Sequence, residues 1–222
     1  MKMAGLTVLV ALLGMGLNAY AIDRDARMID TVSLNVASLN DADSIGGSLW
    51  GETAFNLPRQ DWALLIGGGY DEISPDDDSS NLAGWTMGIG LKYYLLPVTS
   101  FSAVGTYSRY DADNGAAEDK DIKAATLTAK QRFMPASDPF CPYAKGSLTW
   151  RNRSTFSGFD PAVEDDSFSE YLLTVAGGIE FEMRPDFTII FEAGYVTADA
   201  SDNDAEDLDG FIGSVAMQYY WK

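Results

Sequence analysis

The chain has 222 residues, with 15 Lys and Arg against 33 Asp and Glu, and a formal net charge of −18. That balance argues against nucleic-acid binding, which needs basic surface to displace counterions from phosphate. One cysteine excludes an internal disulfide, and the absence of histidine excludes a Ser-His-Asp triad, a histidine general base and histidine metal ligands.

The first element is a targeting segment over residues 1–21. Lys2 precedes an apolar run from Met3 to Leu17, and Ala19-Tyr20-Ala21 supplies an A-x-A cleavage site. The run is too short for a comfortable transmembrane helix, so the reading is a cleaved secretory signal followed by one domain over residues 22–222.

After residue 21 the apolar residues recur with period two, the strand period. Ten segments are predicted as strands: 28–38, 45–57, 62–73, 82–96, 101–110, 122–134, 142–151, 169–184, 187–196 and 208–221. From Tyr171 to Met183, one face carries Tyr171, Leu173, Val175, Ile179 and Phe181, and the other carries Leu172, Thr174, Ala176, Glu180 and Glu182. Proline-bearing connections at Pro58–Asp61, Pro97–Ser100, Pro135–Cys141 and Pro185–Asp186 read as turns, because proline sets a turn and cannot join a ladder. They alternate with longer, acidic connections at 39–44, 74–81, 111–121, 152–168 and 197–207. Short turns at one end and long loops at the other suit an outer-membrane barrel. The final strand runs from a long loop toward the short-turn end, so an even count requires Met28–Ser38 as the first strand. The expected fold is therefore all-β: an antiparallel up-and-down transmembrane barrel of ten strands, with eight as the alternative.

Aromatic residues fall near both ends of the apolar faces. Trp62, Tyr93, Phe101, Phe181, Phe187, Tyr219 and Trp221 lie toward the short turns, and Tyr70, Trp85, Tyr171, Tyr195 and Phe211 toward the loops. Eight residues at about 3.3 Å, tilted by about 40°, rise about 20 Å. That spacing suits two aromatic girdles bounding an apolar band of about 25 Å.

The signal segment, the alternating hairpins, the girdles and the closing strand Phe211–Lys222 (FIGSVAMQYYWK) resemble the small outer-membrane β-barrel proteins of the porin-like OmpA/OmpW type. The resemblance covers essentially the whole chain after residue 21. It implies location in a bacterial outer membrane, contact with outer-membrane lipid and lipopolysaccharide, and recognition of the last strand by the barrel assembly machinery. In such proteins the last strand ends on an aromatic; here Lys222 follows Trp221. Barrel enzymes of that membrane lean on a catalytic histidine, so the expectation is a non-enzymatic protein without a cofactor.

The alternation places Glu52, Lys92, Lys130, Arg132, Lys145, Glu180, Glu182 and Glu192 on the inward face, most of them close to the short turns. Bare charges in a narrow lumen are costly, so pairing is expected, with the cations meeting Glu180, Glu182 and Glu192. Such a network either plugs the barrel or lines a constriction that passes small solutes. The predicted function is a structural or surface role, or narrow porin-like passage; the alternative is an adhesin or ligand-binding barrel acting through acidic loops. Those loops hold Asp76-Asp77-Asp78, Glu118-Asp119, Glu164-Asp165-Asp166 and Asp199–Asp209. Carboxylates suit divalent cations, but no run has EF-hand spacing, and solvated loops are the plainer reading. Cys141, in a proline-flanked turn, reads as an incidental thiol.

Overall fold

A computed structural model describes residues 28–39, 42–54, 62–75, 82–96, 98–112, 120–134, 138–154, 167–200 and 209–221. The targeting segment, Phe55, and the acidic stretches at 76–78, 118–119, 164–166 and 201–208 lie outside the described residues. Ten strands form: β1 (Met28–Leu39), β2 (Ala42–Ala54), β3 (Trp62–Pro75), β4 (Leu82–Leu96), β5 (Thr99–Ala112), β6 (Lys120–Arg132), β7 (Phe140–Ser154), β8 (Ser167–Arg184), β9 (Phe187–Ala200) and β10 (Asp209–Trp221).

Each strand pairs antiparallel with its sequence neighbours, and β1 pairs with β10, so the sheet closes into a ten-stranded barrel. The closing seam runs over twelve residue pairs, from Met28 opposite Trp221 to Leu39 opposite Gly210. Closure leaves the sheet no unpaired edge. Register shifts occur at Tyr94/Leu96 and Glu182/Arg184, each just before a connection of two residues, 97–98 and 185–186. Connections 55–61, 97–98, 133–139 and 185–186 share one end of the barrel, here the turn end; 40–41, 76–81, 113–119, 155–166 and 201–208 share the other, the loop end.

Three sequence expectations are corrected. The loop expected over 39–44 shrinks to residues 40–41, because pairing continues through the polar residues Ser38 and Asp43. Cys141 belongs to β7 rather than to a turn, because β7 pairs with β8 from Phe140 opposite Phe181 onward. Phe133 and Met134 fall in a bend beyond β6, whose ladder ends at Arg132.

The two faces of the sheet reverse the pattern of a water-soluble protein. Large apolar side chains point outward and stay exposed, among them Ile66, Ile89, Leu127 and, at 71% exposure, Phe211. The inward face carries Glu52, Glu170, Glu180, Ser108 and Thr188, all buried, around a small cluster of Tyr143, Ile190 and Ala216. An apolar exterior of this extent is stable only in an apolar surrounding.

Candidate functional site

Side chains on the inward face of a closed sheet converge on the lumen. Strands two apart stand about 9–10 Å from each other, a gap that a long cation and a glutamate can span if the strand between carries a small residue. The lumen repeats that arrangement.

The first bridge joins β2 to β4. Lys92 Nζ donates to Glu52 Oε2 at 2.7 Å, the Tyr94 hydroxyl donates to Glu52 Oε1, and the Lys92 ammonium lies 4.7 Å from the centre of the Tyr94 ring. The strand passed over is β3, where Ala63 sits opposite Lys92 and is only 1% exposed.

The second bridge joins β6 to β8. Arg132 Nε donates to Glu180 Oε2 at 2.7 Å and its Nη2 to Oε1 at 3.2 Å, while Lys130 Nζ donates to Oε1 at 2.6 Å. One carboxylate thus serves two cations. The strand beneath is β7, with Cys141 opposite Glu180, 2% exposed. The thiol that read as incidental is the small residue this bridge spans.

The third bridge joins β7 to β9. Lys145 donates to Glu192 Oε1, and the Tyr143 hydroxyl donates to Oε2 at 2.7 Å. On β8 below lie Ala176, opposite Lys145, and Gly178, opposite Glu192. A Cβ on Gly178 would come 2.4 Å from the Tyr143 phenol, so only glycine fits. Lys130 Nζ stands 3.7 Å from the centre of the Tyr143 ring, which joins the second and third bridges by a cation–π contact.

The structure therefore pairs Lys130 and Arg132 with Glu180, and Lys145 with Glu192. Lys92 meets Glu52 rather than Glu180, Glu182 or Glu192, because Glu52 lies just two strands away. Glu182 forms no ion pair with a cation among the described residues. It lines a small cavity of about 60 Å³, together with Lys92, Tyr94, Arg132, Glu180 and Tyr220. These residues come from β4, β6, β8 and β10, so the cavity lies within the lumen.

Toward the loop end, two further contacts were not anticipated from the sequence. Arg151 donates to Glu170, directly opposite on β8 and 1% exposed. The Tyr110 hydroxyl donates to Asp71 at 2.9 Å, from β5 to β3. It passes over Gly84, where a Cβ would fall 2.3 Å from the Tyr110 ring. Tyr94, Tyr143 and Trp50 were also passed over, although each shares its strand's inward parity with Lys92, Lys145 or Glu52.

On the outer face, Trp62, Tyr70, Trp85, Tyr171, Tyr195, Phe211, Tyr219 and Trp221 are exposed, and Tyr93, Phe101, Phe181 and Phe187 are half-buried against neighbours. Rings meet in register at both ends. Trp62–Tyr93 and Phe187–Tyr219 stand 4.7 and 4.8 Å apart near the turns, and Tyr195–Phe211 5.4 Å apart near the loops.

No curated protein matches the chain in sequence. Among solved structures it is similar to the beta domain of the Bordetella autotransporter Brka, 11% identical, with a TM-score of 0.58 covering 89% of this chain and 100% of that one. It is also similar to an outer membrane channel from Pseudomonas putida F1, 11% identical, with a TM-score of 0.50 covering 88% and 96%. A loop L8 deletion mutant of OmpT, an outer membrane protein of Vibrio cholerae, is 14% identical, with a TM-score of 0.38 over 87% of this chain; the chain spans about 62% of its length. The likeness to the first two establishes a shared barrel fold alone. Residues 7–217 match the family described as outer membrane protein beta-barrel domain, and the chain belongs to that family, whose place is the bacterial outer membrane.

Proposed function

We propose that the protein is a non-enzymatic outer-membrane barrel with a structural or surface role, its lumen shut near the turn end by the paired charge layer. Four cations, Lys92, Lys130, Arg132 and Lys145, stand in that layer against four carboxylates, Glu52, Glu180, Glu182 and Glu192, so the layer carries no net charge. The observation that carries the reading is Glu180, clamped by Lys130 and Arg132 above a cavity of only about 60 Å³. A solute crossing this depth has to break ion pairs that a confined space makes costly to separate. Passage is thus limited to the smallest solutes, and the absence of histidine from the chain supports a role without catalysis.

The same proposal covers the surroundings. The signal is cleaved after Ala21, the aromatic rings anchor the barrel at both lipid interfaces, lipopolysaccharide contacts the outer face, and the assembly machinery reads β10. A second reading, an adhesin or a site for divalent cations, is favoured by the acidic runs at 76–78, 164–166 and 199–209, which fall in or directly beside connections of the loop end.

Conductance in a planar bilayer tests the first reading. The wild-type barrel should show no lasting open steps, and Glu180→Gln should produce them. A large ohmic conductance in the wild type would overturn the plug.

A further inference from the structure

Four of the five tryptophans, Trp62, Trp85, Trp150 and Trp221, are exposed on the outer face. Trp50 is the exception. It shares the inward parity of Glu52, and it is half-buried between the outward, exposed Leu49 and the outward Gly51. Gly67 on β3 stands directly opposite it, and Gly88 on β4 stands opposite Gly67. A Cβ on Gly67 would fall 2.5 Å from Trp50 Cδ2, and one on Gly88 2.7 Å from Cη2. The indole therefore lies across the inner wall, over two strands that carry no side chain at that level. One face rests on glycine backbone, and no ring contact or hydrogen bond holds the other among the described residues.

The surroundings define what that face could meet. On the loop-end side of the charge layer the inner wall is hydroxyl-bearing. Ser33 bonds Ser48 at 2.6 Å, Thr86 bonds Ser108 at 2.7 Å, and Thr126 bonds Thr149 at 2.9 Å. A hydroxyl pair uses one proton on itself and keeps spare lone pairs for a ligand, with a second proton as well where no third group takes it, as the Tyr110 phenol does from Thr86 and Ser108. Solvent reaches this depth, since Asn35 on the inward face is exposed. The four cations below are paired with Glu52, Glu180 and Glu192, and the layer as a whole carries no net charge, so nothing there calls for an anionic ligand.

We propose that the half of the lumen on the loop-end side of the charge layer is a dead-end vestibule for a neutral saccharide, with Trp50 as its stacking platform. The flat indole packs against the C–H face of a sugar ring, while the hydroxyl pairs exchange hydrogen bonds with the ring's polar edge. The dead end rests on the charge layer being a plug; the stacking platform does not.

The experiment is saturation-transfer NMR and calorimetry on the whole barrel in lipid bilayers, with maltotriose as the neutral probe and choline as the cationic one. Saturable maltotriose binding is expected, with a Kd of about 1–10 mM. Trp50→Phe, which keeps a smaller platform, should weaken it several-fold, and Trp50→Ala by about tenfold or more. Retention of the folded, heat-modifiable band shows that each variant has folded. No saturable maltotriose binding by the folded wild type would overturn the proposal. So would equal binding by Trp50→Ala and Trp50→Phe, or tighter binding of choline than of maltotriose. Should the barrel conduct, the plug fails on its own, and maltotriose should still block the current in the wild type but not in Trp50→Ala.

Discussion

The bridge over β3 and the cluster over β7 and β8 use the same parts with different connectivity. On β2 and β4, one cation, one carboxylate and one phenol share hydrogen bonds only with each other: Lys92, Glu52 and Tyr94. From β6 to β9 the parts are shared. Glu180 holds two cations, and Tyr143 bonds Glu192 while its ring faces Lys130. An isolated bridge fails alone, whereas a shared carboxylate strands two charges when it is lost. Connectivity, more than the number of ion pairs, should therefore set how much each residue contributes.

The largest expected effect follows from that difference. Glu180→Gln leaves Lys130 and Arg132 without their carboxylate in a confined space and should cost about 3–5 kcal/mol. Glu52→Gln strands only Lys92 and should cost about half as much. Urea titration of refolding into lipid vesicles measures both, and equal costs would erase the distinction between bridge and cluster. Next comes coupling. Glu180→Gln combined with Glu192→Gln should depart from additivity by about 0.5–3 kcal/mol, because Tyr143 and Lys130 connect the two carboxylates. Glu180→Gln combined with Glu52→Gln should depart from additivity by less than that pair, because only the attraction between Arg132 and Glu52 across the lumen connects them.

Packing under the bridges gives smaller effects. Gly178→Ala drives a methyl into the Tyr143 phenol and should cost about 1–3 kcal/mol. Gly146→Ala, where nothing lies within 4 Å, should change stability by less than about 0.5 kcal/mol. Similar values for the two glycines would show that the wall under the cluster relaxes freely. The most delicate measure is kinetic. Cys141, buried beneath Arg132–Glu180, should label slowly with a thiol reagent in the folded barrel. Labelling should be faster in Glu180→Gln and unchanged in Glu52→Gln.

Much of the barrel is legible in the chain because period two states which face each residue occupies, and a lumen needs only that. Glu52, Lys92, Lys130, Arg132 and Lys145 all occupy inward positions for this reason. Strand ends are less legible. Asp43 and Ser44 are polar enough to suggest a loop, yet they pair, since a ladder needs backbone rather than apolar side chains. Partner choice is not legible either. Lys92 meets Glu52 because strands two apart bring their inward side chains to one depth over Ala63. That depth depends on the stagger between strands, which no single strand encodes. The parity of Trp50 is plain in the chain, but its setting depends on two glycines, Gly67 and Gly88, aligned with it from other strands.

The seam between β1 and β10 has a consequence for chain connectivity. Met28 lies beside Trp221, and every strand has a neighbour on both sides, so the order of the strands is cyclic. Nothing in the pairing marks where the polypeptide must start. A short linker joining residues 221 and 28, with a new opening in 55–61, keeps all ten ladders and every bridge described above. Circular permutants of this barrel should therefore close on the same lumen, with the charge layer at the same depth.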